Sequence, residues 1–262
     1  MKEAALLPAP QTRMAAWVVV CFLLLPILVI VPLSLTDQDY LAMPVDGLSF
    51  RHYVNLFTSP TWLGSFAQSL FIACVSTVLC VTLGTLCAIG CWRLGNRVSE
   101  MVRLLMLLPM IVPTIVYVLG FYRLLVDLRL LGTYVGVIIS HVVTGIPYVI
   151  VIVSTALASF DLRYDMAARN LGASMSQSIR LVLLPNIKAA VASSAIFAFI
   201  HSWDELLIVL FIAGRTIFTL PRRIWDGIND KLDPTMAAVA TLLLLISAAL
   251  LFLDLMLRKR ES

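Results

Sequence analysis

Charge is scarce in this chain. Only 13% of its 262 residues are Asp, Glu, Lys or Arg, where a soluble domain carries about a quarter. That is too little polar surface to coat a water-soluble globule, so a soluble fold is excluded. Lysine is rarer still: Lys2, Lys188, Lys231 and Lys259 are the whole set, and none follows a glycine. A phosphate-binding loop of the form G-x-x-x-x-G-K-[ST] is therefore absent, and the chain cannot cradle ATP in that way. The five cysteines, Cys21, Cys74, Cys80, Cys87 and Cys91, have no His or acid beside them at ligand spacing. Cys87 and Cys91 stand one helical turn apart, but the set reads as small packing residues in lipid and not as a metal site. The apolar runs are continuous rather than alternating, so they read as helices and not as the strands of a membrane barrel. Nothing calls for a nucleic-acid partner.

Apolar residues are what the chain has: 61% of it, in long runs with a mean hydropathy of +0.98. A helix needs roughly 20 such residues to cross about 30 Å of hydrocarbon. Six windows qualify, at about 14–35, 66–92, 104–123, 130–157, 189–214 and 234–256, in a single domain over 1–262. The expectation is an all-α integral membrane protein with six transmembrane helices. The first window is longer than a signal core and no small-x-small cleavage site follows it, so it reads as an anchor. Prolines lie inside several windows: Pro26 and Pro32, Pro109 and Pro113, and Pro147. Each kinks a helix. With both termini in the cytoplasm, the inner segments carry twelve of the 19 basic residues, the bias that the cytoplasmic side attracts. The outer segments hold Asp37, Asp39 and Asp46, and later "TLPRRIWDGINDKLD". Asp233-Pro234 reads as the N-cap and first-turn proline of the sixth helix.

One inner segment is unlike its apolar surroundings: "DMAARNLGASMSQSIRLVLLP", Asp165 to Pro185. Asp161 is a good N-cap, and a helix starting at Leu162 places Asp165 near its positive end. Gly172 fits a left-handed stop. Ser174 with Gln177 three residues on makes a capping box for a second helix. Its apolar face takes in Ile179, Val182 and Leu183, and Leu184-Pro185 closes the unit. Two readings fit this helix, glycine break and helix. It docks into a groove on a partner through the small side chains of Ala167 and Ala168, or it is an amphipathic connector on the membrane surface.

The fifth window holds a second anomaly. "FIHSWDELLIVLFIAG" sets His201, Asp204 and Glu205 three and four residues apart, on one face of a continuous helix, with Trp203 among them. Asp204 comes about 22 Å along that helix, counting 1.5 Å per residue from Ala189. A charge at such depth costs at least a few kcal/mol unless paired or wet. Again two readings fit: a polar path that favours cations, or a structural pair with an arginine from an outer loop or a neighbouring subunit.

The inner segment resembles the cytoplasmic loop of ATP-binding-cassette (ABC) importer permeases, E-A-A, three residues, G, nine residues, I-x-L-P. Ala167 and Ala168 match the alanines, Gly172 the glycine, Val182 the isoleucine position, and Leu184-Pro185 the final pair. Met166 stands at the glutamate position with Asp165 just before it. The "SWDE" segment, "LPRRIWDGIND" and "DPTMAAVATLLLLIS" resemble the second permease of spermidine/putrescine-type importers over nearly the whole chain. The resemblance implies a type I ABC importer permease fold, in the bacterial inner membrane, in a non-catalytic subunit. It implies that Asp165, Met166, Ala167, Ala168, Gly172, Leu184 and Pro185, within a loop at about 160–187, couple the chain to a separate ATPase dimer that holds ATP and Mg. It implies a second permease, either a paralogue or a copy of this chain, and an extracytoplasmic binding protein. His201, Trp203, Asp204 and Glu205 become the candidate solute path. The alternatives are an importer permease for another small organic solute, a stand-alone secondary transporter or channel, for whose sites six spans without an internal repeat leave little room, and a membrane scaffold, which would not need the intramembrane acids.

Overall fold

The computed structural model describes residues 10–45, 47–230 and 232–259. Lys2, Asp46, Lys231 and Arg260, counted above for charge, lie outside the described residues. Among the described residues all regular structure is helical. The chain forms two compact units, Met1–Ser59 with Ile224–Leu242, and Pro60–Arg223 with Leu243–Ser262.

The first unit opens with α1 (Pro10–Ser34), which runs through Pro26 and Pro32 without a break. Its side chains from residue 11 to residue 28 are exposed, Trp17, Phe22 and Leu28 among them. The turn after it is tied to α2 (Arg51–Thr58), where the hydroxyls of Ser34 and Tyr53 meet at 2.7 Å. His52, buried on α2, reaches the carbonyl of Gln38 at 3.2 Å. Asn55 donates to Thr235 Oγ1 at 2.8 Å. Asp233 accepts from the Thr235 N–H at 2.8 Å, the cap read from the sequence, at the start of α13 (Thr235–Lys259).

The second unit is built on α3 (Pro60–Leu94), α6 (Tyr134–Ala158) and α10 (Lys188–Trp203), which pack on one another. Small residues set how closely they approach. A Cβ on Gly84 would lie 2.7 Å from Val149 Cβ, and one on Gly145 would lie 2.7 Å from Cys80 Sγ. Ile72, Cys80, Ala88, Val142, Val149 and Val153 fill the seam.

Two windows depart from the sequence reading. The window at 104–123 is not one straight span. It is α4 (Arg97–Ile111) and α5 (Thr114–Asp127), which meet at 106°. Pro113 has no N–H to extend α4 and pushes Val112 into an extended conformation (φ −76°, ψ 132°). Pro109, by contrast, is carried inside α4. The window at 189–214 is also broken: α10 stops at Trp203, and the short α11 (Leu207–Ile212) follows after Asp204–Leu206. By length and composition four helices can cross a membrane, or up to six if each bent pair makes one span.

Candidate functional sites

The inner segment folds as its local signals dictate. Asp161 caps α7 (Leu162–Asn170) by accepting from the Arg163 N–H at 2.9 Å. Gly172 takes φ +90°, a conformation that costs glycine little. Ser174 and Gln177 form the reciprocal capping box of α8 (Met175–Ser178). The second helix does not end at Leu184-Pro185, as the sequence had suggested. A π turn over Ile179–Leu183 runs into α9 (Leu184–Asn186), and the run bends by 73° at Ile187 into α10. The reason lies in Pro185. It cannot donate to the carbonyl four residues back, and the wider turn absorbs the missing bond, Leu184 N–H reaching Ile179 O.

The loop exposes apolar side chains among charged ones, Arg163 and Arg169 included. Leu162, Met166, Leu171, Met175 and Leu181 are exposed, with Ala167 beside them. Asp165 points the other way. It is buried, pairs with Arg93 Nη2 at 2.7 Å and accepts a hydrogen bond from the Ser178 hydroxyl. Ser178 first, then Arg93, hold its carboxyl below the usual carboxylate range against the opposing effect of burial. Met166 at the family's glutamate position is thus on the outward face, and Asp165 is engaged with its own chain.

The break in the fifth window changes the geometry expected there. His201, Asp204 and Glu205 do not share a helical face, because the helix ends between them. Asp204 is the C-cap of α10, exposed, and accepts from Ser247 at 3.3 Å. Glu205 Oε1 accepts from the N–H groups of Leu207 (2.8 Å) and Ile208 (3.2 Å), satisfying two first-turn donors of α11. The other reading pairs them with an arginine from an outer loop or from a neighbouring subunit. Among the described residues, neither carboxylate forms an ion pair. Trp203 is buried, stacked on Phe199 with ring centroids 5.6 Å apart and edge-on to Phe66 at 5.8 Å. It packs the end of α10.

His201 joins a polar seam that sequence reasoning missed. Its Nε2 and Thr144 Oγ1 are 2.8 Å apart, and one turn along α6 the buried His141 Nδ1 meets Ser202 Oγ at 2.8 Å. The Tyr148 ring lies 4.9 Å from that of His201. The signal was present: Ser140, His141 and Thr144 interrupt an apolar run just as Asp204 does. Arg93 and Ser178, the partners of Asp165, carried no local signal.

Residues 80–262 match the model of a family described as the binding-protein-dependent transport system inner membrane component. That match spans well over half of the chain. The chain belongs to this family. The permease is 28% identical over 246 residues to the spermidine/putrescine transport system permease protein PotC of Haemophilus influenzae, across 94% of this chain and 95% of that one. It is 28% identical over 230 residues to the putrescine transport system permease protein PotI of Escherichia coli, across 85% of this chain and 82% of the other. Among solved structures it resembles a chain of a bacterial alginate ABC transporter in complex with an alginate pentasaccharide-bound periplasmic protein. The TM-score there is 0.65 at 16% identity, over 96% and 95% of the two chains. The permease is thus a multi-pass ABC importer subunit with the type I fold.

Proposed function

We propose that this permease forms part of the pathway of an ATP-driven importer for a polyamine of the spermidine/putrescine class. One observation carries the solute class: two carboxylates stand at a break in an apolar span with no cationic partner among the described residues. Lipid does not tolerate them bare, so they face protein or water. A wet, acidic break favours an organic cation, and broken helices are the places where solutes are met in transporters. The sequence relatives, whose names specify spermidine and putrescine, support the same reading. Asp204 and Glu205 attract the solute, His201 adds a polar wall, and Trp203 steadies the break.

The energy comes from outside the chain. Met166, Ala167, Ala168 and Gly172 seat the loop in a separate cytoplasmic ATPase dimer, which holds ATP and Mg. Leu184 and Pro185 turn the chain from the loop towards α10, and Asp165 braces it from within. A second permease completes the pathway and an extracytoplasmic binding protein delivers the solute. Both termini face the cytoplasm of a bacterial inner membrane. The test is radiolabelled putrescine uptake by membranes in which the subunits still co-purify. Asp204→Asn with Glu205→Gln should lower uptake several-fold. Unchanged uptake would remove the cation reading.

A further inference from the structure

The Asp165–Arg93 pair joins two elements far apart in sequence. Arg93 is in the last turn of α3 and Asp165 in the first turn of α7. The two side chains are almost entirely covered, and Ser178 from α8 closes the node by donating to the same carboxylate. Trp92, next to Arg93, packs edge-on to Phe160 with ring centroids 5.9 Å apart, just ahead of α7. Both limbs of the loop are therefore tied to one end of α3. A buried charge pair of this kind holds a geometry strongly, because removing either partner strands the other.

The far end of α3 is tied as well. Gln68 Oε1 accepts from the Phe218 N–H and Ser69 Oγ from the Leu220 N–H, each at 2.8 Å, and Arg223 Nε donates to Ser65 Oγ at 3.2 Å. These bonds fix the start of α12 (Leu220–Asp230), whose first backbone donors find no partner within their own helix. Gln68 and Arg93 are about 38 Å apart along α3 at 1.5 Å per residue. Between them α3 has no slack: Gly84 lies against Val149, and Cys80 against Gly145 with its thiol on the Val142 carbonyl at 3.5 Å.

We propose that α3 is a strut. The Arg93–Asp165–Ser178 node locks it to the loop, and the Gln68 and Ser69 bonds lock it to the Phe218–Arg223 segment, so movement at the loop reaches the opposite end of the helix. The proposal rests on the reading that the loop seats in an ATPase. It gives Asp165 a positioning role behind the seating face.

The test uses the assembled complex in proteoliposomes and needs no knowledge of the solute. An Arg215→Cys reporter in the exposed turn before Phe218 is labelled with a membrane-impermeant maleimide, with and without ATP plus vanadate, against the background of the reporter-free complex. ATPase co-purification is scored in parallel. The expected result is a nucleotide-dependent change in labelling rate that Asp165→Asn and Gln68→Leu each diminish roughly tenfold, with ATPase still bound. Because both act on one strut, the combined variant should be no worse than either alone. The reversed pair, Arg93→Asp with Asp165→Arg, should restore the change. If a single variant does not assemble, the reversed pair decides alone, and failure to restore overturns the strut. Full nucleotide response in both single variants overturns it too. Absence of ATPase from the unaltered complex would sink the coupling-loop reading itself, a result distinct from failure of the strut.

Discussion

Single side chains decide two features of this permease. Gly172 holds φ +90° with nothing within 4 Å of an added Cβ, so its requirement is conformational and not steric. Gly172→Val should therefore disturb the loop by its backbone alone, at about 1–2 kcal/mol. Uptake should fall while ATP hydrolysis by the complex continues, and normal uptake would speak against a coupling loop. Asp165 adds a pH dependence of known sign. Its carboxyl is held below the ordinary range by Ser178 and Arg93, with Arg169 adding a smaller effect in the same direction. Its contribution is thus complete above the unfolded carboxylate pKa of about 3.9 and is lost as pH falls through the lower folded value. The difference in thermal midpoint between the permease and its Asp165→Asn variant, measured in detergent, should stay flat with pH from neutral down to about that pKa. A loss centred near neutrality would mean a different group is involved. At the broken span, Glu205→Gln keeps one oxygen for the Leu207 and Ile208 donors. Assembly should survive the change even where uptake does not, and co-purification checks this.

At the scale of elements, helix contact is governed by where a side chain is missing. Gly145 sits against Cys80, whereas Gly64, also in a helix of the same unit, has nothing within 4 Å. Gly145→Val should destabilise by about 1–3 kcal/mol through overpacking. Gly64→Ala should be neutral or stabilising by up to about 1 kcal/mol. Thermal midpoints of the two variants in detergent separate these outcomes, and equal shifts would refute the packing account. The elements were unequally legible in the sequence. The loop could be read almost to the residue, because Asp161, Gly172 and the Ser174–Gln177 box act on their own backbone neighbourhood. A kink at Pro113 could be read from the proline but not its 106° bend, and the break at Asp204–Leu206 was hidden, because a hydropathy window averages over the acids there. The Arg93–Asp165 tie was unreadable for a different reason: its partners are 72 residues apart, and only the packing of α3 brings them together.

For the whole molecule, the proposal that both termini lie on the inner side rests on the distribution of basic residues along the sequence. A reporter protein that matures only in the cytoplasm, fused after residue 262, should be active, and an inactive fusion would reverse the assignment. The two units also differ in what they ask of their residues. The helices of the second unit bury much of their surface on one another, yet none of the apolar window of α1 is buried within the chain. Mutation should therefore treat α1 leniently. From residue 14 to residue 28 almost any apolar side chain meets the same requirement, provided the run still matches the thickness of the hydrocarbon. A randomised apolar library over those positions should yield mostly functional chains, whereas the same library over 72–89 of α3 should yield few. The stretch that looks most like a membrane helix is the one its own chain leaves unpacked.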